Sequence, residues 1–380
     1  MKRRTFLHKT VAGVTAFGTA GCSVFGKKKY ELPRKQVKYS PEIFKQTKQK
    51  PVGIMPIHEL GSTGVKVSAY SFGSHITGSL IPYEKERERM IREAFDLGIN
   101  LFDIYDNSTR QYEPMSRFLS PIKNDVLISV HGHEYGNVYE GNPKSLNGED
   151  GIEKTLRVLK RDYIDLVRNI SPDPDNKYEK DWEVFFRMKE KGYIRFVGTA
   201  IHRPNEADHI IDTYPIDYLI FPYNFYHNLN YTGEFVGDFN PLVKKLRDRG
   251  IGVITMKPFA SEWFIPHLLK VSKKIDKTGN INLGSTMLKW IVNSNQKPDT
   301  TLGGMYSIDE VYDNIGAYYN PKMTVEETQH LDKLRSVCKI IAEQVLPDHY
   351  RFLDDWAPNV QDGKNHRYTV RPSHPQTTLT

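Results

Sequence analysis

The sequence predicts an α/β fold: a (β/α)8 barrel of the TIM type with an N-terminal hairpin and a C-terminal helical extension. Three observations predict it. Strand signals alternate with amphipathic helix signals, the strand segments number eight, and a glycine-punctuated hairpin precedes the first of them. Eight parallel strands with intervening helices close into a barrel over about 250 residues, and the roughly 270 residues of the alternating region match that size. A doubly wound open sheet is the other architecture that such alternation allows. The hairpin and the count of eight favour the barrel.

The elements follow in order. ELGSTGVKVSAYSFGSH (Glu59–His75) reads as a hairpin leading into a strand, and KERERMIREAFDLG as a helix ending at Gly98. The strand INLFDIYD, the short helix YEPMSRFLSPI and the strand VLISVH come next. GEDGIEKTLRVLKR places Ile152, Leu156 and Leu159 on one helical face before the strand DYIDLVRNI. WEVFFRMKEKG, NEADHIIDTY, NPLVKKLRDRG and STMLKWIVNS are helical segments, preceding the strands IRFVGTAI, DYLIFPYN, GVITMKP and TTLGG respectively. From about Thr324 a long helix leads to LPDHYRFLDDWAPN and a polar tail. There Tyr350, Phe352 and Trp356 either cover the barrel mouth as a lid or pack on its outside.

The chain opens MKRRTFLHKTVAGVTAFGTAGC, in which Arg3-Arg4 and the residues after them fit a twin-arginine export pattern. The weakly apolar stretch Thr10–Gly21 is shorter than the about 20 residues a membrane-spanning helix needs. Thr19-Ala20-Gly21-Cys22 resembles a lipoprotein cleavage box with Cys22 as the lipid acceptor. Plain cleavage after Ala20, or an uncleaved anchor, are the alternatives. The expected division is 1–22 signal, 23–50 basic tether, 51–335 barrel and 336–380 extension. The expected location is the periplasm or cell envelope, with membrane attachment by a lipid anchor.

The net charge of +7 is unevenly distributed. Residues 1–50 hold 13 Lys and Arg against Glu31 and Glu42, while the other 330 residues hold 40 basic and 44 acidic side chains. The body is therefore mildly acidic and lacks the basic stripe of a nucleic-acid-binding protein. The basic segment reads as a solvated tether. Of the two cysteines, Cys22 belongs to the signal region, so Cys338 stands alone in a helical pattern as a small apolar side chain. No internal disulfide, iron–sulfur cluster or cysteine–zinc site can then form.

Seven blocks, ELGSTGVKVSAYSFG, DLGINLFDIYD, LKRDYIDLV, KGYIRFVGTAIH, PYN, GVITMKPFA and LGGMYSIDEVYDNI, resemble the aldo/keto reductases in order and spacing over about residues 55–335. That resemblance implies hydride transfer between NADP or NAD and a small carbonyl or sugar-like compound. It also implies a catalytic Asp, Tyr, Lys and His at neighbouring strand ends. Asp103 matches the aspartate. The tyrosine position holds Ser108, flanked by Tyr105 and Tyr112. The lysine position holds His131, and the histidine position holds Ile170. The resemblance assigns Lys257 to the pyrophosphate loop, Gly304 and Ser307 to the adenosine phosphate, and Asp313 and Asn314 to the adenine. Ile220 stands where the nicotinamide-holding glutamine is expected, and Thr199-Ala200-Ile201 where a Ser/Asn pair is expected. An exported reductase would carry its cofactor tightly or draw on an electron-donating partner.

Side-chain alternation sharpens the site. Leu101, Asp103 and Tyr105 share one strand face, Leu127, Ser129 and His131 another, and Leu166, Arg168 and Ile170 a third. A buried guanidinium needs a partner, so Arg168 is expected to pair with Asp103 and to supply the cation that the missing lysine would give. A one-residue register slip would instead turn Arg168 outward. Asp103, Tyr105, His131 and Arg168 are the catalytic candidates, and His133, Asn169, His202 and Asn224 line the expected pocket. His131 and His133 with Asp103 admit a metal reading, which lacks a further protein donor. Two readings stand beside the reductase: a non-catalytic ligand-binding barrel, and a metal-dependent or otherwise altered barrel enzyme acting on carbohydrate.

Overall fold

The computed structural model describes residues 48–74, 84–104, 115–132, 149–170, 179–201, 204–225, 241–259, 265–294 and 297–345. Strands β1 (Ile57–Glu59) and β2 (Lys66–Ser68) form an antiparallel hairpin, as expected. Eight further strands close a parallel barrel: β3 (Tyr70–Gly73), β4 (Leu101–Ile104), β5 (Leu127–His131), β6 (Ile164–Ile170), β7 (Ile194–Ala200), β8 (Tyr218–Pro222), β9 (Gly252–Met256) and β10 (Thr300–Gly304). β10 pairs with both β9 and β3 and completes the ring. The expected (β/α)8 architecture is thus the observed one.

The strand period of two sorts side chains into two cores. Phe102, Val130, Val167, Val197, Leu219 and Val253 point outward and pack beneath the helices. Leu101, Leu166, Tyr218, Ile220, Ile254 and Leu302 point inward, and Leu60, Val65 and Val67 from the hairpin segment join them. The hairpin therefore plugs the floor of the barrel. Asp299 fastens it, accepting the N–H of Gly61 at 3.0 Å and of Val253 at 2.8 Å while pairing with Arg247. Gly61 adopts φ +52°, and a Cβ there would lie 2.4 Å from the Gly250 carbonyl oxygen, so the turn needs glycine.

Helices α1 (Glu84–Asp96), α2 (Glu149–Leu159), α3 (Glu179–Glu190), α4 (Pro204–Thr213) and α5 (Pro241–Asp248) form where the apolar spacing predicts them. Two helices, α6 (Ile265–Ile275) and α7 (Leu283–Asn293), separate β9 from β10, where the sequence reading anticipated only the second. The missed helix buries Leu268 and Val271, and its Ser272 meets His330 on α9 (Val325–Val345). Its apolar face was overlooked because lysines crowd its C-terminal half. Between them lies α8 (Ile308–Tyr319), which follows β10. α9 runs unbroken across residues 335–336 and packs on α6 and α7, so this part of the C-terminal region lies on the outside of the barrel. Cys338 is buried in it, and burial pushes its thiol pKa up, as suits an inert packing residue. Cys22 and the aromatic group Tyr350, Phe352 and Trp356 lie outside the described residues.

Candidate active site at the barrel mouth

Three neighbouring strands build the polar centre. Asp103 on β4 lies opposite Ser129 on β5, and His131 on β5 lies opposite Arg168 on β6. All four share the inward faces that alternation predicts. Arg168 crosses behind β5 to Asp103: its Nη1 bonds Asp103 Oδ1, Nη2 donates to Oδ2 at 3.3 Å, and Nη1 donates to Ser129 Oγ at 2.8 Å. The pair is almost wholly buried. The expected contact is therefore formed, and Arg168 faces inward. Two-pronged bonding of guanidinium to carboxylate holds both planes, a constraint a lysine would not impose. Ser129, which alternation places on the face of His131 without marking it as a site candidate, is the third member of this group.

Tyr218 approaches the pair from β8. Its ring lies against Gly198, where a Cβ would fall 2.7 Å from the ring carbons. Its hydroxyl is buried and has no hydrogen-bond partner among the described residues. Burial pushes its pKa well above the ordinary value, while Arg168 pulls down and Asp103 pushes up. His131, buried at 6 % exposure, ends its strand two residues beyond Ser129, nearer the mouth. Arg87 on α1 is also buried; its Nη1 donates to the Met305 carbonyl at 3.0 Å, and its guanidinium stacks 4.5 Å from the Phe72 ring centre. Its spacing with Met90, Ile91 and Ala94 on one helical face was the available signal, hidden among the charged residues of that helix.

Other expected pocket residues are placed differently. Asn169 falls on the outward face of β6 with Val167, because it adjoins the inward-facing Arg168; Thr199, equally outward, donates its hydroxyl to the Asn169 carbonyl at 3.0 Å. Asn224 is buried and its amide donates to the Lys257 carbonyl at 2.8 Å, so it anchors the loop after β9. Asn314 is buried under α8, and its amide donates to the Tyr70 hydroxyl at 2.9 Å. Ser307 is the N-cap of α8, accepting the Glu310 N–H. Ser307 and Asn314, two of the side chains expected at the cofactor's adenosine end, thus make these contacts with the helix and its packing. Tyr105, Ser108, Tyr112, His133 and His202 lie outside the described residues, as does the side chain of Ile170.

Some features suit a dinucleotide at this mouth. Gly73 and Gly304 pair at the C-terminal ends of β3 and β10, where a Cβ at Gly73 would lie 2.9 Å from the Gly303 backbone, so the two strands approach closely at the mouth. Lys257 begins the loop after β9 at φ +56°, a left-handed conformation that costs a non-glycine residue about 1–2 kcal/mol. Such local strain gathers at ligand-holding loops. Asp313 is half-buried and bonded by Lys48 and Asn282. Neighbouring Glu310 accepts the Tyr306 N–H, and burial, aided by Asp313 and Asp309, pushes its carboxyl up to about 7. Among the described residues, no three His, Cys, Asp or Glu side chains converge on a metal-sized space.

The sequence pattern of the aldo/keto reductase family matches residues 72–336. The chain is 23% identical over 320 residues to L-galactose dehydrogenase of Arabidopsis thaliana, covering 77% of this chain and 97% of that one. It is 24% identical over 226 residues to L-glyceraldehyde 3-phosphate reductase of Escherichia coli, covering 55% and 62%. Among solved structures, an aldo-keto reductase from Bacillus halodurans in its holo form superposes with a TM-score of 0.55 at 22% identity, over 74% of this chain and 96% of that one. Strand order, barrel closure and a family match over most of the barrel agree: this chain belongs to the aldo/keto reductase family.

Proposed function

We propose that this chain is an NAD(P)-linked oxidoreductase of the cell envelope that interconverts a small carbonyl compound and its alcohol through an atypical active site. The observation that carries the reading is the buried Asp103–Arg168–Ser129 group with His131 above it, at the strand ends where barrel enzymes work. When bound, the dinucleotide would supply the hydride; Lys257, Gly304 and Asp313 are the residues at hand to hold it. His131 is the described side chain whose imidazole can exchange a proton with the substrate oxygen. Arg168 keeps a fixed positive charge beneath it, and Asp103 holds that charge in place. The substrate class proposed is a polyhydroxylated, sugar-like carbonyl, in keeping with the names of two relatives. The twin-arginine pattern and Cys22 support export and lipid anchoring, with an electron-donating partner where free cofactor is scarce.

The test is cofactor-dependent turnover of small aldoses and aldehydes, in wild type and His131→Ala. Turnover at least tenfold lower in the variant, with cofactor binding kept, supports the reading. A wild-type chain that binds cofactor without turning over any carbonyl would instead identify a ligand-binding barrel, a reading favoured by the replacement of the family lysine by His131.

A further inference from the structure

This inference rests on the reading of an envelope protein anchored near its N-terminus, and it concerns the surface that the body turns toward the membrane. Residues 48–56 form a strap across α1 and α8, fixed along its length. The Lys48 N–H donates to Asp309 at 3.0 Å, its ammonium bonds Asp313, and Lys50 pairs with Glu93 at 2.9 Å. A Cβ at Gly53 would lie 2.4 Å from the Tyr319 ring, and the Tyr319 hydroxyl donates to the Leu97 carbonyl at 2.7 Å. Met55 is buried beside Gly98, just past α1. Between these attachments Val52 and Ile54 face solvent, 98% and 89% exposed, and Ile57 at the start of β1 is 48% exposed. Val52 and Ile54 are the two most exposed large apolar side chains among the described residues, and they stand on backbone that packing already holds.

A lone exposed aliphatic carries no message, whereas neighbouring ones rimmed by charge mark a surface that is covered in use. The chain leading into the strap says by what. Cys22, the expected lipid acceptor, and the basic groups Lys27-Lys28-Lys29 and Arg34-Lys35 precede it, so the strap is the first part of the described body met from the anchor. Basic residues beside an anchor are drawn to anionic headgroups, and aliphatic side chains then enter the interface. The rest of the body is mildly acidic and is held off by the same headgroups, which confines contact to the strap. We propose that Val52 and Ile54, with Ile57 beside them, form a membrane-contact surface that seats the α1–α8 side of the barrel on an anionic lipid bilayer.

The test uses the full chain carrying Cys22→Ser, so that no lipid is attached, and vesicles of phosphatidylcholine with or without phosphatidylglycerol. Cys338 is buried, so an environment-sensitive dye can be attached at Ile54→Cys alone. Its emission should shift to the blue on vesicles containing phosphatidylglycerol, and less so as salt is added. The same dye at Glu183→Cys, exposed on α3 across the barrel from the strap, should not shift. Without a dye, Val52→Ser/Ile54→Ser should bind these vesicles about tenfold more weakly in co-sedimentation, with an unchanged melting temperature. Vesicle binding with no shift at Ile54→Cys, or undiminished binding by the double variant, would overturn the contact surface and leave the basic segment as the attachment. A dimer in solution that the double variant dissociates would overturn it in favour of a second copy of this chain. Recovery of the exported wild-type chain in the soluble fraction of the envelope would overturn the anchored reading, which the vesicle measurements leave untouched.

Discussion

Arg168 on β6 reaches past β5 to bind Asp103 on β4, so three strands of the barrel are joined by one buried ion pair with Ser129 as its third member. Its strength depends on both partners being present. Arg168→Met leaves a buried carboxylate without its cation, and the expected loss is about 3–5 kcal/mol, read by urea denaturation. Adding Asp103→Asn should return part of it. A loss under about 1 kcal/mol in the single variant would mean that the pair does not form.

Tyr218 presents the opposite case. Its hydroxyl is fully desolvated with no described partner, and such a group costs about 1–3 kcal/mol against an apolar isostere. Tyr218→Phe is therefore expected to leave the melting temperature unchanged or raise it. A clear drop would show that the hydroxyl is bonded, through water or otherwise.

The outer helices carry a pH dependence. His330 on α9 is buried, with its Nε2 2.7 Å from Ser272 Oγ, and burial lowers its pKa; His267 on α6 is lowered for the same reason, helped by Lys270. For a group whose folded pKa is depressed, the associated stability is intact above the unfolded value, about 6.5 for histidine, and is lost as pH falls through the folded value. Urea midpoints should thus hold steady from pH 8 to 7 and drop on acidification. His330→Gln should flatten that drop, and an unchanged profile in the variant would remove His330 as its cause.

Asn224 separates anchoring from pocket lining. If it serves chiefly to hold the Lys257 carbonyl, Asn224→Ala loses about one hydrogen bond, roughly 1 kcal/mol. Cofactor affinity should then weaken several-fold while the KM for the carbonyl substrate stays near wild type. A change confined to substrate KM would restore Asn224 to the pocket.

Much of the fold could be read from local pattern. Alternation along VLISVH and DYIDLVRNI placed Ser129, His131 and Arg168 on inward faces, and the spacing of Ile152, Leu156 and Leu159 marked the buried side of α2. Helix α6 escaped because lysines in its second half masked a buried face that exists only against α9. The adenosine-end assignments of Ser307 and Asn314 came from motif order, which cannot tell whether a hydroxyl or amide points at a ligand or back into its own helix.

The sequence alone determined the alternation of eight strands with helices and which residues share a face along each element, because these depend on periods of two and 3.6 that every residue along an element repeats. Tertiary structure alone decided the rest. Register settled that Arg168 faces inward and makes the expected pair with Asp103 from two strands away, packing turned Asn314 to Tyr70 and Asn224 to Lys257, and Lys48 came to bond Asp309 and Asp313 on α8. Partnerships between residues far apart in the chain are made by closing the barrel, and no local period encodes them.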